Sequence, residues 1–149
     1  MRRIILPIVL SFTLVAGAAA SLHWFQPRGV KAQSGCALST LQGSFGVRGE
    51  GWVNAGGSSG QVALTQVGFA AIDGAGNMSL AVTTSAGGQF SRQSFSYKVQ
   101  VNSDCTGSVT PVPGSDGGPA DFVVVAGGNQ LLYVVTGQGL TLSGIFIRQ

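Results

Sequence analysis

Ser94 to Gly107 reads SFSYKVQVNSDCTG, and this stretch decides the fold class. Phe95, Tyr97, Val99 and Val101 alternate with Ser94, Ser96, Lys98 and Gln100. A period of two places apolar groups on one face of a strand and polar groups on the other, so the segment is a strand that buries one side. It runs into Asn102-Ser103-Asp104, whose short polar side chains bond their own backbone and favour a turn. Cys105 follows the turn, and the other cysteine of the chain is Cys36, far upstream.

Strand patterns continue on both sides of this segment. Gly43 to Val53 places Phe45 and Val47 on one parity and Arg48, Glu50 and Trp52 on the other, while Gly46, Gly49 and Gly51 permit the bending that a barrel wall requires. Asn54 to Gly60 is a glycine- and serine-rich loop. Gln61 to Asp73 switches its apolar parity between Leu64 and Val67, which predicts a bulge near Thr65 and Gln66. Asp73-Gly74-Ala75-Gly76-Asn77 is a hairpin signal, because Gly and Asn accept the positive φ that tight turns impose. Met78, Leu80 and Val82 alternate with polar and small residues in a third strand, and Phe90 to Val101 forms the fourth.

Gly107 to Val112 reads as a short fifth strand, and the prolines and glycines from Pro111 to Pro119 as a loop beyond it. Ala120 to Ala126, Gln130 to Thr136 and Leu140 to Arg148 complete eight strands. The connections are too short for crossover helices, so neighbours run antiparallel in a meander, and no helix is expected after Cys36. Eight strands leave exposed edges unless the sheet closes, which favours a barrel over a sandwich. In the last three strands Val123, Leu132 and Val134 are apolar on the face opposite Phe122, Val124, Leu131, Tyr133 and Val135. A homo-oligomer interface, or alternatively the N-terminal segment, is expected to cover that outer face.

The N-terminus has another character. Met1-Arg2-Arg3 is followed by an apolar run from Ile4 to Val15 and small residues from Ala16 to Ala20, the order of a secretory signal. The run is shorter than the roughly 20 residues that span a bilayer. Residues 1–32 therefore read as a leader, with cleavage after Ala20 or after Ala32, and residues 36–149 as the barrel domain of a secreted, periplasmic or cell-envelope protein. In such a compartment the two cysteines read as a Cys36–Cys105 disulfide that ties the first strand to the middle of the sheet. The formal charge of +3 is carried by this segment: removing Arg2, Arg3, Arg28 and Lys31 subtracts four and leaves −1. Arg48, Arg92, Lys98 and Arg148 are then scattered singly, which does not suit nucleic acid.

The order Cys36-Ala37-Leu38, Leu41-x-Gly43-x-Phe45-Gly46, Ala71-x-Asp73-Gly74-x-Gly76-Asn77, Tyr97-x-Val99 leading to Asp104-Cys105-Thr106-Gly107, and Gly144-x-x-x-Arg148-Gln149 resembles a group of secreted bacterial proteins. That group is similar in turn to the allene oxide cyclase barrel, within the lipocalin-like (calycin) barrels. The resemblance covers Cys36 to Gln149. It implies an eight-stranded antiparallel barrel, secretion, and the trimeric state of the plant cyclases. It does not imply cyclase activity, because the polar cluster of the plant pocket, with its glutamate and proline-held water, has no residue-by-residue match here.

Few residues can carry chemistry. His23, the one histidine, falls in the leader, which removes Ser-His-Asp and Cys-His catalysis and histidine metal sites from the mature chain. Glu50, the one glutamate, shares a parity with Arg48 and reads as a solvated partner of it. Asp73 and Asp104 occupy turn positions, and Asp116 and Asp121 flank a Gly-Pro loop with too few oxygens for a calcium cage, so no metal or cofactor is assigned. Phe45, Phe95, Tyr97, Phe122 and Tyr133 are the candidate site residues: they either line a lumen that holds a small apolar ligand or fill it. The sequence thus points to a non-enzymatic secreted barrel, a binder of a small apolar ligand or a surface interaction module. The rival is an isomerase or cyclase acting on a lipid-like substrate in the lumen.

Overall fold

The structure, a computed structural model, describes residues 35–54 and 60–149. The expected leader, both cleavage positions and His23 lie outside the described residues. Eight strands follow one another in the barrel: β1 Gly43–Asn54, β2 Gln61–Ile72, β3 Asn77–Ala86, β4 Gln89–Val101, β5 Thr106–Pro111, β6 Ala120–Val125, β7 Gln130–Val135 and β8 Leu140–Arg148. Each pairs antiparallel with its neighbour, and β8 pairs back with β1 from Phe45↔Arg148 to Val53↔Leu140, which closes the sheet. This is the general architecture of lipocalin-like barrels. Among the described residues no helix is long and apolar enough to cross a membrane.

Alternation places the core inside the wall. Phe45, Val47, Leu64, Ala70, Ile72, Met78, Leu80, Val82, Tyr97, Val99, Phe122, Val124, Leu131, Tyr133, Leu142 and Phe146 are buried, and each sits on the inward parity of its strand. The expected bulge at Thr65 and Gln66 is absent. β2 holds unbroken register with β1, from Gly43↔Ile72 to Asn54↔Gln61, and with β3, from Leu64↔Ala86 to Ile72↔Met78. The parity switch has another origin: Val67 and Phe69 are apolar residues on the outer face, 60% and 48% exposed, while Gln66 points inward.

The expectation of no helix also needs correcting. A single turn, α1 Leu38–Leu41, precedes β1, with the Ala37 amide donating to Thr40 Oγ1 and the Thr40 amide donating back to the Ala37 carbonyl. It drops Leu41, which is fully buried, into one end of the barrel as a plug.

That end is densely tied. Cys36, just ahead of α1, is disulfide-bonded to Cys105 in the β4–β5 turn, 69 residues away, with the Cα atoms 5.0 Å apart. Closing a loop of that length stabilises by about 4 kcal/mol in the chain-entropy model. Arg148, at the end of β8, donates from Nη1 to the Gln42 carbonyl (2.7 Å) and from Nη2 to the carbonyls of Thr40 (2.6 Å) and Gly128 (3.1 Å). Its guanidinium lies 4.8 Å from the centroid of the Phe45 ring. A planar fork with five donors suits this task, since it satisfies the carbonyls at the end of α1 and in the turn Ala126–Gly128 together while stacking on an aromatic face.

Two aspartates organise turns at the same end, as their positions predict. Asp73 accepts from the amides of Ala75 (2.9 Å) and Asn77 (2.8 Å) and from the Asn77 side chain (2.7 Å). Asp104 accepts from the Thr106 amide (3.0 Å) and hydroxyl (2.6 Å). These bonds favour the ionised form, led by the Asn77 side chain at Asp73 and by the Thr106 hydroxyl at Asp104, and both carboxyls are held below the ordinary 3.8.

Candidate functional site

A cavity of about 300 Å³ occupies the barrel axis above the Leu41 plug. Its wall is mostly aliphatic and aromatic, with residues contributed by all eight strands. Four of the five aromatic candidates, Phe95, Tyr97, Phe122 and Tyr133, line it. Phe45 does not: it is fully buried beneath the cavity, edge-on to Phe146 (6.4 Å between centroids) and covered by Arg148. The lumen is therefore hollow, with Phe45 as part of its base.

Glycines on the inner wall explain how so many rings leave space. Tyr133 on β7 lies flat across β8 and β1 because neither strand has a side chain in its path. A Cβ added to Gly144 would fall 2.8 Å from Tyr133 Cε1, and one added to Gly49 only 2.3 Å from the hydroxyl. Phe122 likewise lies over Gly107, where a Cβ would meet its Cζ at 2.3 Å. The rings pave the wall and leave the axis free. Tyr133 also packs edge-on against Phe146, with centroids 5.1 Å apart.

Crossing two strands brings the Tyr133 hydroxyl to Gln66 on β2, whose Nε2 donates to it at 2.9 Å. Thr84, opposite Gln66 in the β2–β3 ladder, also lines the cavity beside this pair. The apolar pattern alone does not reveal Gln66, because a glutamine among apolar residues looks like the site of a bulge. The signal was there: on the parity of Leu64, Ala70 and Ile72, position 66 faces inward without any bulge. Burial raises the pKa of both Tyr133 and Tyr97 above 10.0, because it penalises the phenolate in apolar surroundings.

The mouth lies at the opposite end from Arg148. β5 pairs with β4 only from Tyr97↔Pro111 to Val101↔Gly107, so the first half of β4 runs past it. The β5–β6 connection turns back over this gap: the Val112 amide donates to the Ser96 carbonyl (3.0 Å), and the Ser96 amide donates to Ser115 Oγ (3.1 Å). Gly117 then rests directly over the Tyr97 hydroxyl, where a Cβ would lie 2.1 Å from the oxygen. Asp116 and Gln93 line the rim.

The remaining charged residues stand away from the lumen. Arg48 and Glu50 face each other on the outer wall at 3.7 Å, with side chains 75% and 69% exposed, an ion pair of little energetic weight. Lys98 bonds the Asn77 side chain. Among the described residues no group of three His, Cys, Asp or Glu gathers at metal-binding distance. No protein-family model and no curated protein matches this chain.

Proposed function

We propose that the protein is a non-enzymatic barrel, working outside the cytoplasm, that binds a small apolar ligand in its lumen. The observation that carries this reading is the hollow, apolar cavity of about 300 Å³ between a plugged base and a loop-covered mouth, a size at the lower end of small-molecule sites. The disulfide suits an oxidising compartment, and the leader pattern read from the sequence and the resemblance to secreted barrels favour the same location. The rival reading, an isomerase or cyclase for a lipid-like substrate, needs a carboxylate sheltered against the lumen. Glu50, Asp73, Asp104, Asp116 and Asp121 are all exposed, Asp116 at the rim. Titration with 1-aminonaphthalene, whose emission moves to the blue in apolar surroundings, tests the proposal: a saturable blue shift with one dye per barrel supports it, and no shift removes it.

A second reading is favoured by the outer wall of β6, β7 and β8. Val123, Leu132, Val134 and Ile147 are 36%, 48%, 45% and 46% exposed there, which suits association with a second copy of the barrel. Light scattering on the wild type and on Leu132→Lys reads it out: an oligomer converted to monomer by the charge supports it, and a monomer throughout removes it.

A further inference from the structure

The lumen contains a polar spot whose chemistry specifies more than apolar contact. Once Gln66 has donated to Tyr133, the tyrosine keeps its own O–H proton to donate and the glutamine keeps its carbonyl oxygen to accept. The pair thus offers two donors, the tyrosine O–H and the second Nε2–H of the glutamine, and one acceptor, the glutamine oxygen, to whatever occupies the lumen beside it, with Thr84 adjoining. A ligand hydroxyl can meet a donor and the acceptor together, whereas a ketone oxygen meets donors alone and leaves the acceptor unpaired. A pure hydrocarbon cuts the pair off from water and satisfies none of these groups, which weakens binding for each bond left unmade.

Charge is disfavoured by the same wall. Among the described residues no lysine, arginine or histidine lines the cavity, and the charged residue that does, Asp116 at the rim, is negative. Arg148 is committed to three carbonyls beneath Phe45, and Arg48 and Lys98 are occupied on the outer wall. A carboxylate entering the lumen would lose its hydration with no cation to replace it. The raised pKa of both tyrosines reports the same resistance to negative charge.

Size follows from the cavity. A volume of about 300 Å³, at roughly 30 Å³ for each molecule of liquid water, accommodates on the order of ten non-hydrogen atoms. We propose that the lumen selects a neutral molecule of that size bearing one hydroxyl, a medium-chain alcohol in chemical class, over the matching ketone and, more strongly, over the matching carboxylate. This inference rests on the lumen being a binding site.

Displacement of 1-aminonaphthalene, a two-ring dye small enough for the cavity, by 1-octanol, 2-octanone and octanoate at pH 8 tests it. The expected order is octanol, then octanone, then octanoate, with octanol effective at a concentration at least about tenfold below that of octanoate. Gln66→Leu and Tyr133→Phe are each expected to weaken octanol about three- to tenfold, with the dye titrated on each variant as the reference for its displacement. Octanoate equal to or better than octanol would overturn the preference and leave the binding site standing. Unchanged octanol binding in both variants would overturn the role of the Gln66–Tyr133 pair. A dye that does not bind the wild type would remove the cavity reading itself, and this inference with it.

Discussion

The two ends of this barrel are built differently. At the Arg148 end a disulfide, a buried leucine plug, a guanidinium on three carbonyls and two aspartate-centred turns converge. At the mouth, the connections are rich in glycine, and the loop from Val112 to Pro119 is pinned through Ser96 and laid over Tyr97. One end spends its side chains on holding the fold and the other leaves access to the lumen. Stability and binding should therefore respond to different substitutions.

The largest separation of the two is expected from Cys36→Ser with Cys105→Ser. Losing the closed loop removes about 4 kcal/mol, which lowers the melting temperature by roughly 15 °C, while the protein that remains folded binds dye as before. Calorimetry and dye titration read the two effects independently. An intact melting temperature would show that the base does not depend on the bridge.

Arg148→Ala comes next. Three carbonyls lose a charge-assisted donor, and Leu41 loses the clamp that holds its turn against the barrel, for an expected loss of about 2–3 kcal/mol in urea unfolding. Arg148→Lys recovers part of this, because an ammonium can reach one or two carbonyls but cannot span three. A full recovery would mean that charge alone matters.

At the mouth the expected pattern is reversed. Gly117→Val must move a side chain off the Tyr97 hydroxyl, so the loop shifts relative to the lumen. Dye affinity is expected to change about tenfold or more, equivalent to 1.4 kcal/mol, with the melting temperature within a few degrees of wild type. Equal effects on both quantities would erase the distinction between the ends.

The smallest effects are those of pH, and they too divide between the regions. Asp73 and Asp104 have lower pKa values folded than unfolded, so their contribution is complete above the ordinary 3.8 and is lost as the pH falls below it. Amide exchange at the turns 73–77 and 102–106 should quicken there first. Tyr97 and Tyr133 have raised values, so their contribution is complete below 10.0 and is lost as the pH rises above it. Dye release is expected on that side, readable by stopped-flow fluorescence after a pH jump.

The strand series and its inward parity were legible because alternation is a local signal: Phe95, Tyr97 and Val99 carry it within five residues. Where the pattern misled, at Gln66, the error came from equating apolar with inward. Val67 and Phe69 break that equation on the outer wall, and Gln66 breaks it on the inner one. The Gln66–Tyr133 pair could not be read at all, since 67 residues separate its members and the glycines that join them, Gly49 and Gly144, look like any other bending points. The same holds for Arg148. As a single charge at the end of a strand it carries no sign that its three acceptors lie in two other segments.

The central claim is that the inward parity encloses an accessible, ligand-sized space. Methyl-resolved NMR during titration with 1-octanol addresses it directly. Saturable shifts at Leu80, Val99, Val109 and Leu142, with Val67, Leu132 and Ile147 unmoved, are the predicted result. Shifts confined to the outer set, or none at saturating octanol, would contradict it.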